Sequence, residues 1–187
     1  MGNKVKFNLK NVHAAKLTEK EEGGSTKFEY GVPKAIPGAV SISLDAEGES
    51  SPFYADGIKY YVSSSNSGYE GDWEMALITD EFREKILSEY IDKNKVMLEE
   101  ATAKVKRFAL GFEIDGDVRG TRFWFYCCTS TRPTTESSTT EDAIEPTTDT
   151  VTVSASAVQL GTAKKMAVRA KTTADTTDDL YEKWFDK

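Results

Sequence analysis

This 187-residue chain has little of what most catalytic and nucleic-acid-binding sites are built from. It carries one histidine, His13, and two cysteines, Cys127 and Cys128, which are adjacent. Neighbouring side chains on a strand point to opposite faces, so a bond between these thiols would be strained and two reduced thiols are expected. Two thiols are also too few for a cysteine-built zinc site. A serine or cysteine nucleophile would need His13 as its base, yet His13 lies between Val12 and Ala14 in a strand-like stretch, and no GxSxG elbow occurs. It reads as a structural or interface histidine. Gly23-Gly24-Ser25 has neither the lysine nor the spacing of a phosphate-cradling loop.

Basic charge is also in deficit. With 24 Lys and Arg against 31 Asp and Glu, the net charge is −7, which argues against a dedicated nucleic-acid binder, since that needs a basic stripe. Basic and aromatic residues do interleave in VKRFALGF (Val105–Phe112), but acidic turns follow at once. No apolar run approaches the ~20 residues of a membrane helix, and no secretory leader is visible. Lys6 stands where an N-myristoylation pattern requires Ser or Thr. The expectation is a soluble protein made in a cytoplasm, with no membrane contact. At this length it forms a single domain, 1–187, with a core of its own.

What is present is alternation. Val5, Phe7 and Leu9 alternate with Lys4, Lys6, Asn8 and Lys10, predicting a half-buried strand. AVSISLDA (Ala39–Ala46) does the same, with Val40, Ile42 and Leu44 on one face. Asp56-Gly57 marks a turn inside FYADGIKYYV, and Asp45–Gly71 is the first segment expected to project. In YEGDWEMALITDEF (Tyr69–Phe82), Trp73, Met75 and Leu77 share one strand face, and Asp72 and Glu74 share the other with Ala76 and Ile78. Thr79 is placed to cap a helix with Asp80 and Glu81 in its first turn. Phe82, Ile86 and Tyr90 recur at helical spacing, which predicts one amphipathic helix over about Asp80–Tyr90.

The strongest hairpin signal joins Lys104–Ile114 to Gly120–Thr129 through DGDVR. Phe108, Leu110, Phe112 and Ile114 share its inner face, with Arg107, Ala109, Gly111 and Glu113 opposite. The return strand RFWFYCC is apolar on both faces, as a strand covered on both sides would be. Ser130–Thr150 is rich in Thr, Ser, Glu and Pro and reads as an extended loop or arm. Val151–Ala157 and Lys165–Lys171 alternate again and bracket Leu160-Gly161 as a final hairpin, and TTDDLYEKWF ends in a short helix capped by Thr177. The expected fold is mainly β, a sandwich or barrel with one flanking helix. Its extended parts would be an N-terminal arm (about 1–18), a loop at 45–71, a Thr/Ser-rich loop at 130–150 and a C-terminal segment at 172–187.

Three constellations invite chemistry. Asp115–Gly120 begins like a calcium loop, but Arg119 and Tyr126 occupy the fifth and twelfth positions, where oxygen ligands belong, so it reads as a hairpin turn. Asp45–Ser50 fails similarly, with Gly48 at its fourth position. Asp72 and Glu74 could imitate the carboxylate pair of a glycosidase, with Tyr69 beside them as a sugar platform. Yet residues two apart on a strand lie only about 7 Å apart and point the same way, not across a cleft. No catalytic, cofactor-binding or metal-binding residue is assigned. Tyr60, Tyr61 and Tyr69 would serve the alternative of a carbohydrate-binding sandwich module.

Six segments in order, KNVHAAKL, PGAVSISL, FYADGIKYY, NSGYEGDWEMALITDEF, KRFALGFEIDGD and RFWFYCCTSTRP, resemble the major tail (tail-tube) proteins of long-tailed phages of Gram-positive bacteria. The resemblance runs from about Lys10 to Pro133. It implies a β-sandwich subunit that assembles as hexameric rings stacked into a hollow tube around a tape-measure protein, and that meets tail-tip and tail-terminator proteins. DNA would pass through the lumen without specific binding. The protein would reside in the virion tail after assembly in the host bacterial cytoplasm. Six copies at −7 give −42 per ring. Asp72, Glu74 and Glu113, each opposite an apolar strand face, are the candidates for a water-facing lumen wall. Trp73, Met75, Leu77, Phe82, Ile86, Phe108, Leu110 and Phe112 are the expected core.

Overall fold

A computed structural model describes residues 2–22, 25–139, 146–160 and 166–186. It is mainly β, and its largest element is one antiparallel sheet. Strand β1 (Lys6–Glu22) pairs with β2 (Ser25–Tyr30) at its far end and with the short β3 (Lys34–Ala35) at its middle. β4 (Ala39–Glu47) leads into a separate hairpin, β5 (Ser50–Ala55) and β6 (Ile58–Ser64), before the chain returns through β7 (Gly68–Met75) alongside β4. Asp56 and Gly57 both have positive φ, 53° and 75°, the left-handed pair that a two-residue hairpin turn requires.

A small pair follows, β8 (Tyr90–Ile91) with β9 (Met97–Leu98), and then the long hairpin of β10 (Phe108–Gly116) and β11 (Thr121–Ser130). After β12 (Asp149–Ser156) come β13 (Val158–Gln159), β14 (Met166–Ala167) and β15 (Arg169–Lys171). The main sheet runs β2-β1-β10-β11-β12-β7-β4, with β15 also on β11. Its two ends approach each other where β1 meets β4, so the sheet folds over a shared core as a sandwich does.

That core contains Trp73, Met75, Phe82, Ile86, Phe108, Leu110 and Phe112, all buried as their spacing predicts. Phe82 stands edge-on to Trp73 at 5.6 Å and to Phe108 at 5.3 Å, which ties the helical turn to both sheet halves. Leu77 is a correction: it is 67% exposed, and Ile78 takes the buried place instead. β7 stops at Met75, so the alternation ends there, and the Ile78 amide donates to the Asp149 carboxylate across the break.

The helix is also shorter than its spacing predicts. One α turn, α1 (Asp80–Phe82), is capped by the Thr79 hydroxyl, and a π turn continues it over Arg83–Leu87. Ser88 then adopts a left-handed conformation, φ 63°, and ends the helix. Tyr90 therefore lies on β8, half-exposed, instead of extending the apolar stripe. Buried Glu89 beside it faces Arg83 at 3.5 Å.

β1 departs from simple alternation. Asn8 and Asn11 have φ near 54° and 52° and sit at two register shifts against β10. Such bulges bend a strand and re-aim its side chains. Leu9 reaches the core, while Val5 and Phe7, expected to be half-buried, are more than half exposed. The stretch expected as an arm over 1–18 is thus a paired strand from Lys6 onward. The expected final hairpin differs too: β12 pairs with β11 and β7, and the hairpin is formed by β13 and β14. Gly161 and Lys165, and residues 140–145 of the Thr/Ser-rich segment, lie outside the described residues.

Candidate functional site

Two faces of the sheet concentrate the chain's polar chemistry. The first belongs to β4, β7 and β12. Register places Asp45, Glu70 and Ser154 in one row, Ser43, Asp72 and Thr152 in the next, and Ser41, Glu74 and Thr150 in the third. Their alternation partners Ile42, Leu44, Trp73, Val151 and Val153 point into the core. None of the three strands contains Lys or Arg.

Hydroxyls fix the carboxylates on this face. The Thr152 hydroxyl donates to Asp72 at 2.9 Å. Glu74 accepts from Thr148 at 2.6 Å and from Ser41 at 2.8 Å, and these hydrogen bonds hold its carboxyl below the usual range. Asp72 and Glu74 thus lie where the sequence predicts, on the wet side of β7. Asp45, Ser41, Ser43, Thr152 and Ser154 had a sequence signal in the alternation of AVSISLDA and of Val151–Ala157, and Glu70 shares the period of Asp72 and Glu74. Their meeting on one surface depends on strand order and register, which alternation does not specify.

The second face is the outer side of β1, β10 and β11, and here Glu113 is a correction. Only 4% exposed, it is not a water-facing residue. It accepts hydrogen bonds from Asn11 at 2.9 Å and Arg122 at 2.8 Å, with Lys10 at 3.6 Å and the Tyr181 hydroxyl at 3.3 Å. Burial opposes ionisation of Glu113, but the bonds from Asn11 and Arg122 and the charges of Arg122 and Lys10 outweigh it and hold its carboxyl below the usual range. The C-terminal segment closes over this cluster through α2 (Asp178–Glu182) and the residues after it. The guanidinium groups of Arg119 and Arg122 lie 3.6 and 3.9 Å from the centre of the Tyr181 ring. Trp124 donates to the Trp184 carbonyl at 2.9 Å and packs edge-on to Phe185. Gly111 makes room for this, since a Cβ there would lie 2.7 Å from the Trp124 ring.

The remaining candidates have structural roles. His13 stacks on Phe185 at 4.5 Å and hydrogen-bonds the Asn11 carbonyl. Cys127 and Cys128 are both free and buried, in different clusters, and burial pushes the Cys128 thiol up. The Asp115–Gly120 turn is held by Asn3, whose side chain accepts from the amides of Val118 and Arg119. Tyr69 packs edge-on to Phe125 beneath Arg169, so of the three tyrosines a glycan could use, only Tyr60 and Tyr61 are well exposed. Among the described residues no group of His, Cys, Asp and Glu is arranged to hold a metal ion, and no helix is long and apolar enough to cross a membrane.

The fold and these faces define a mainly β sandwich with, among the described residues, one bare acidic sheet face and one capped face. No family model matches this chain, and no curated protein matches it.

Proposed function

We propose that this chain is a structural subunit that polymerises as stacked, hexameric rings into the hollow tail tube of a long-tailed phage, with DNA passing through the lumen. The single observation that carries this reading is the β4–β7–β12 face: three rows of carboxylates and hydroxyls with no basic residue among the strands. A wall of this composition offers DNA neither a cation for its phosphates nor an apolar surface for its bases. Within roughly 8 Å, the screening length at physiological ionic strength, it repels the duplex. Asp72 and Glu74 remain wall residues in this reading, joined by Asp45 and Glu70, and Glu113 leaves the set. Among the described residues β4 is hydrogen-bonded to a strand on one side only, and in this reading its other edge extends the wall into a neighbouring subunit.

The glycosidase alternative is disfavoured by the same carboxylates. A general acid needs a raised pKa, whereas hydroxyl donors hold Glu74 low. A carbohydrate-binding module would rely on Tyr60 and Tyr61 of the β5–β6 hairpin. Electron microscopy of the purified protein separates the readings. Rings or hollow tubes are expected, and a persistent monomer at high concentration would overturn the proposal. In phage carrying Asp72→Lys with Glu74→Lys, tubes should form and DNA ejection should slow; unchanged ejection kinetics would remove these residues from the lumen.

A further inference from the structure

A groove between β3 and the helical turn belongs neither to the acidic wall nor to the capped face. It has a volume of about 250 Å³ and is predominantly apolar. Val32, Lys34, Ala35 and Ile36 line one side, and Phe82 and Ile86 the other. Ile36, Phe82 and Ile86 are almost fully buried, so they present only their edges as a floor, while Val32 at its side is 75% exposed. Ile86 belongs to the π turn over Arg83–Leu87, a rare conformation that is frequent at functional sites.

The charge around this floor is opposite to that of the chain. Lys16, Lys34 and Lys85 line the groove against the single carboxylate of Glu81, on a protein of net charge −7. Glu81 is already met by Lys85 at 2.6 Å and Lys34 at 4.0 Å. Lys16 is exposed and, among the described residues, makes no ion pair. The rim therefore favours an anionic partner. The backbone offers a second contact. Among the described residues β3 is hydrogen-bonded to β1 alone, and Ile36 donates to the Val12 carbonyl at 2.8 Å. Hydrogen-bonded and non-hydrogen-bonded pairs alternate along an antiparallel ladder, so the amide and carbonyl of Ala35 point away from β1.

Size decides the class of ligand. The groove is smaller than the ~300–1,000 Å³ of pockets that engulf a drug-sized molecule. A stable interface between folded subunits buries ~800 Å² on each partner, whereas this cleft admits a side chain or two. Such a cleft beside an open strand edge suits a linear segment. We propose that the β3–α1 groove binds a short, extended peptide segment of another protein in which apolar residues alternate with Asp or Glu. The backbone of the segment adds to β3 at Ala35, its apolar side chains enter between Ile36 and Phe82, and its carboxylates meet Lys16 and Lys34. No residue of β4, β7 or β12 lines the groove, so the proposal stands apart from the tube reading.

Fluorescence anisotropy with a labelled, capped octapeptide, Asp-Leu-Glu-Phe-Asp-Ile-Glu-Leu, tests it, and a benzophenone in place of the Phe marks the site. Saturable binding is expected, weakening as salt rises, with cross-links to Val32–Ile36 or Phe82–Ile86. Exchanging the acidic residues of the peptide for lysine, or its apolar residues for serine, should each weaken binding by about tenfold or more. Lys16→Glu with Lys34→Glu, at exposed positions that leave the core intact, should do the same from the protein side. Absence of binding, equal binding of the lysine peptide, or cross-links elsewhere would overturn the proposal. Displacement by decanoate at a lower concentration than by unlabelled peptide would overturn it in favour of a small amphiphile. Binding to free subunits but not to an assembly they form would overturn it in favour of a second copy of this chain.

Discussion

The outer faces of β10–β11 and of β4–β7–β12 belong to one sheet, yet among the described residues the C-terminal segment covers the first and the second is left bare. The difference follows from what each face offers. Ala15, Ala109 and Gly111 form a shallow apolar floor around Trp124, and Trp184 and Phe185 lie down on it. Glu113 and Arg122 then lie beneath Tyr181 as a paired, hydrogen-bonded cluster. On the β4–β7–β12 face Asp72 and Glu74 accept from hydroxyls, and covering that face would strand its like charges away from solvent. Strands of similar alternation can therefore end as an interior or as a wetted wall, according to whether a carboxylate has a cation beside it. Glu113 does, in Arg122 and Lys10, whereas among the described residues Asp72 and Glu74 are met by hydroxyls and by no cation.

Removing the cover should have the largest effect. A chain ended after Lys171 loses Tyr181, Trp184 and Phe185, each partly buried and worth up to ~1.5–3 kcal/mol when fully so. A stability loss on the order of 4 kcal/mol is expected, read as a lower urea midpoint with new binding of an apolar dye. Next comes Glu113→Ala, which leaves the partly buried Arg122 without its carboxylate and should cost on the order of 2 kcal/mol. An unchanged midpoint in either variant would show that the cover rests on the face without stabilising it.

Acid should loosen the same cluster. Because the folded state holds the Glu113 carboxyl below its ordinary range, folding disfavours its proton. The resulting stabilisation is complete above the unfolded-chain pKa of about 4.3 and disappears as pH falls through the lower folded value. Urea unfolding at pH 7, 4 and 3 should show this loss in the parent chain and a smaller one in Glu113→Gln. Equal losses would place the acid sensitivity elsewhere.

The comparison also marks where sequence reading succeeds. The turn at Asp56-Gly57, the Thr79 cap, and the Phe108–Leu110–Phe112 face are local patterns, and each forms as its pattern predicts. So does the apolar return strand: Phe125 and Cys128 join the main core, and Trp124 and Cys127 pack on the other side. The errors at Leu77, Tyr90 and Glu113 share another origin. β7 ends one residue pair early, Ser88 turns left-handed, and Glu113 meets Tyr181, 68 residues away. None of these is encoded in the alternation around the residue itself. On the bare face, the pattern identified the polar side of each strand, and only the order β12-β7-β4 brought those sides together.

The smallest effect is expected on the bare face, and it tests the comparison most directly. In Asp72→Asn with Glu74→Gln, the amide oxygens can still accept from Thr152, Thr148 and Ser41, so the hydroxyl contacts have substitutes. Removing two neighbouring like charges beside Glu70 relieves repulsion along β7, an effect of at most about 1 kcal/mol at an exposed surface. The melting temperature should stay level or rise slightly, in contrast to the fall expected of Glu113→Ala. If stability drops by as much as in Glu113→Ala, the carboxylates of β7 hold the fold together, and the distinction between a sealed face and a wetted one is lost. If stability holds while the neutralised wall retains DNA during ejection, the charge on β7 serves passage through the tube and contributes little to folding.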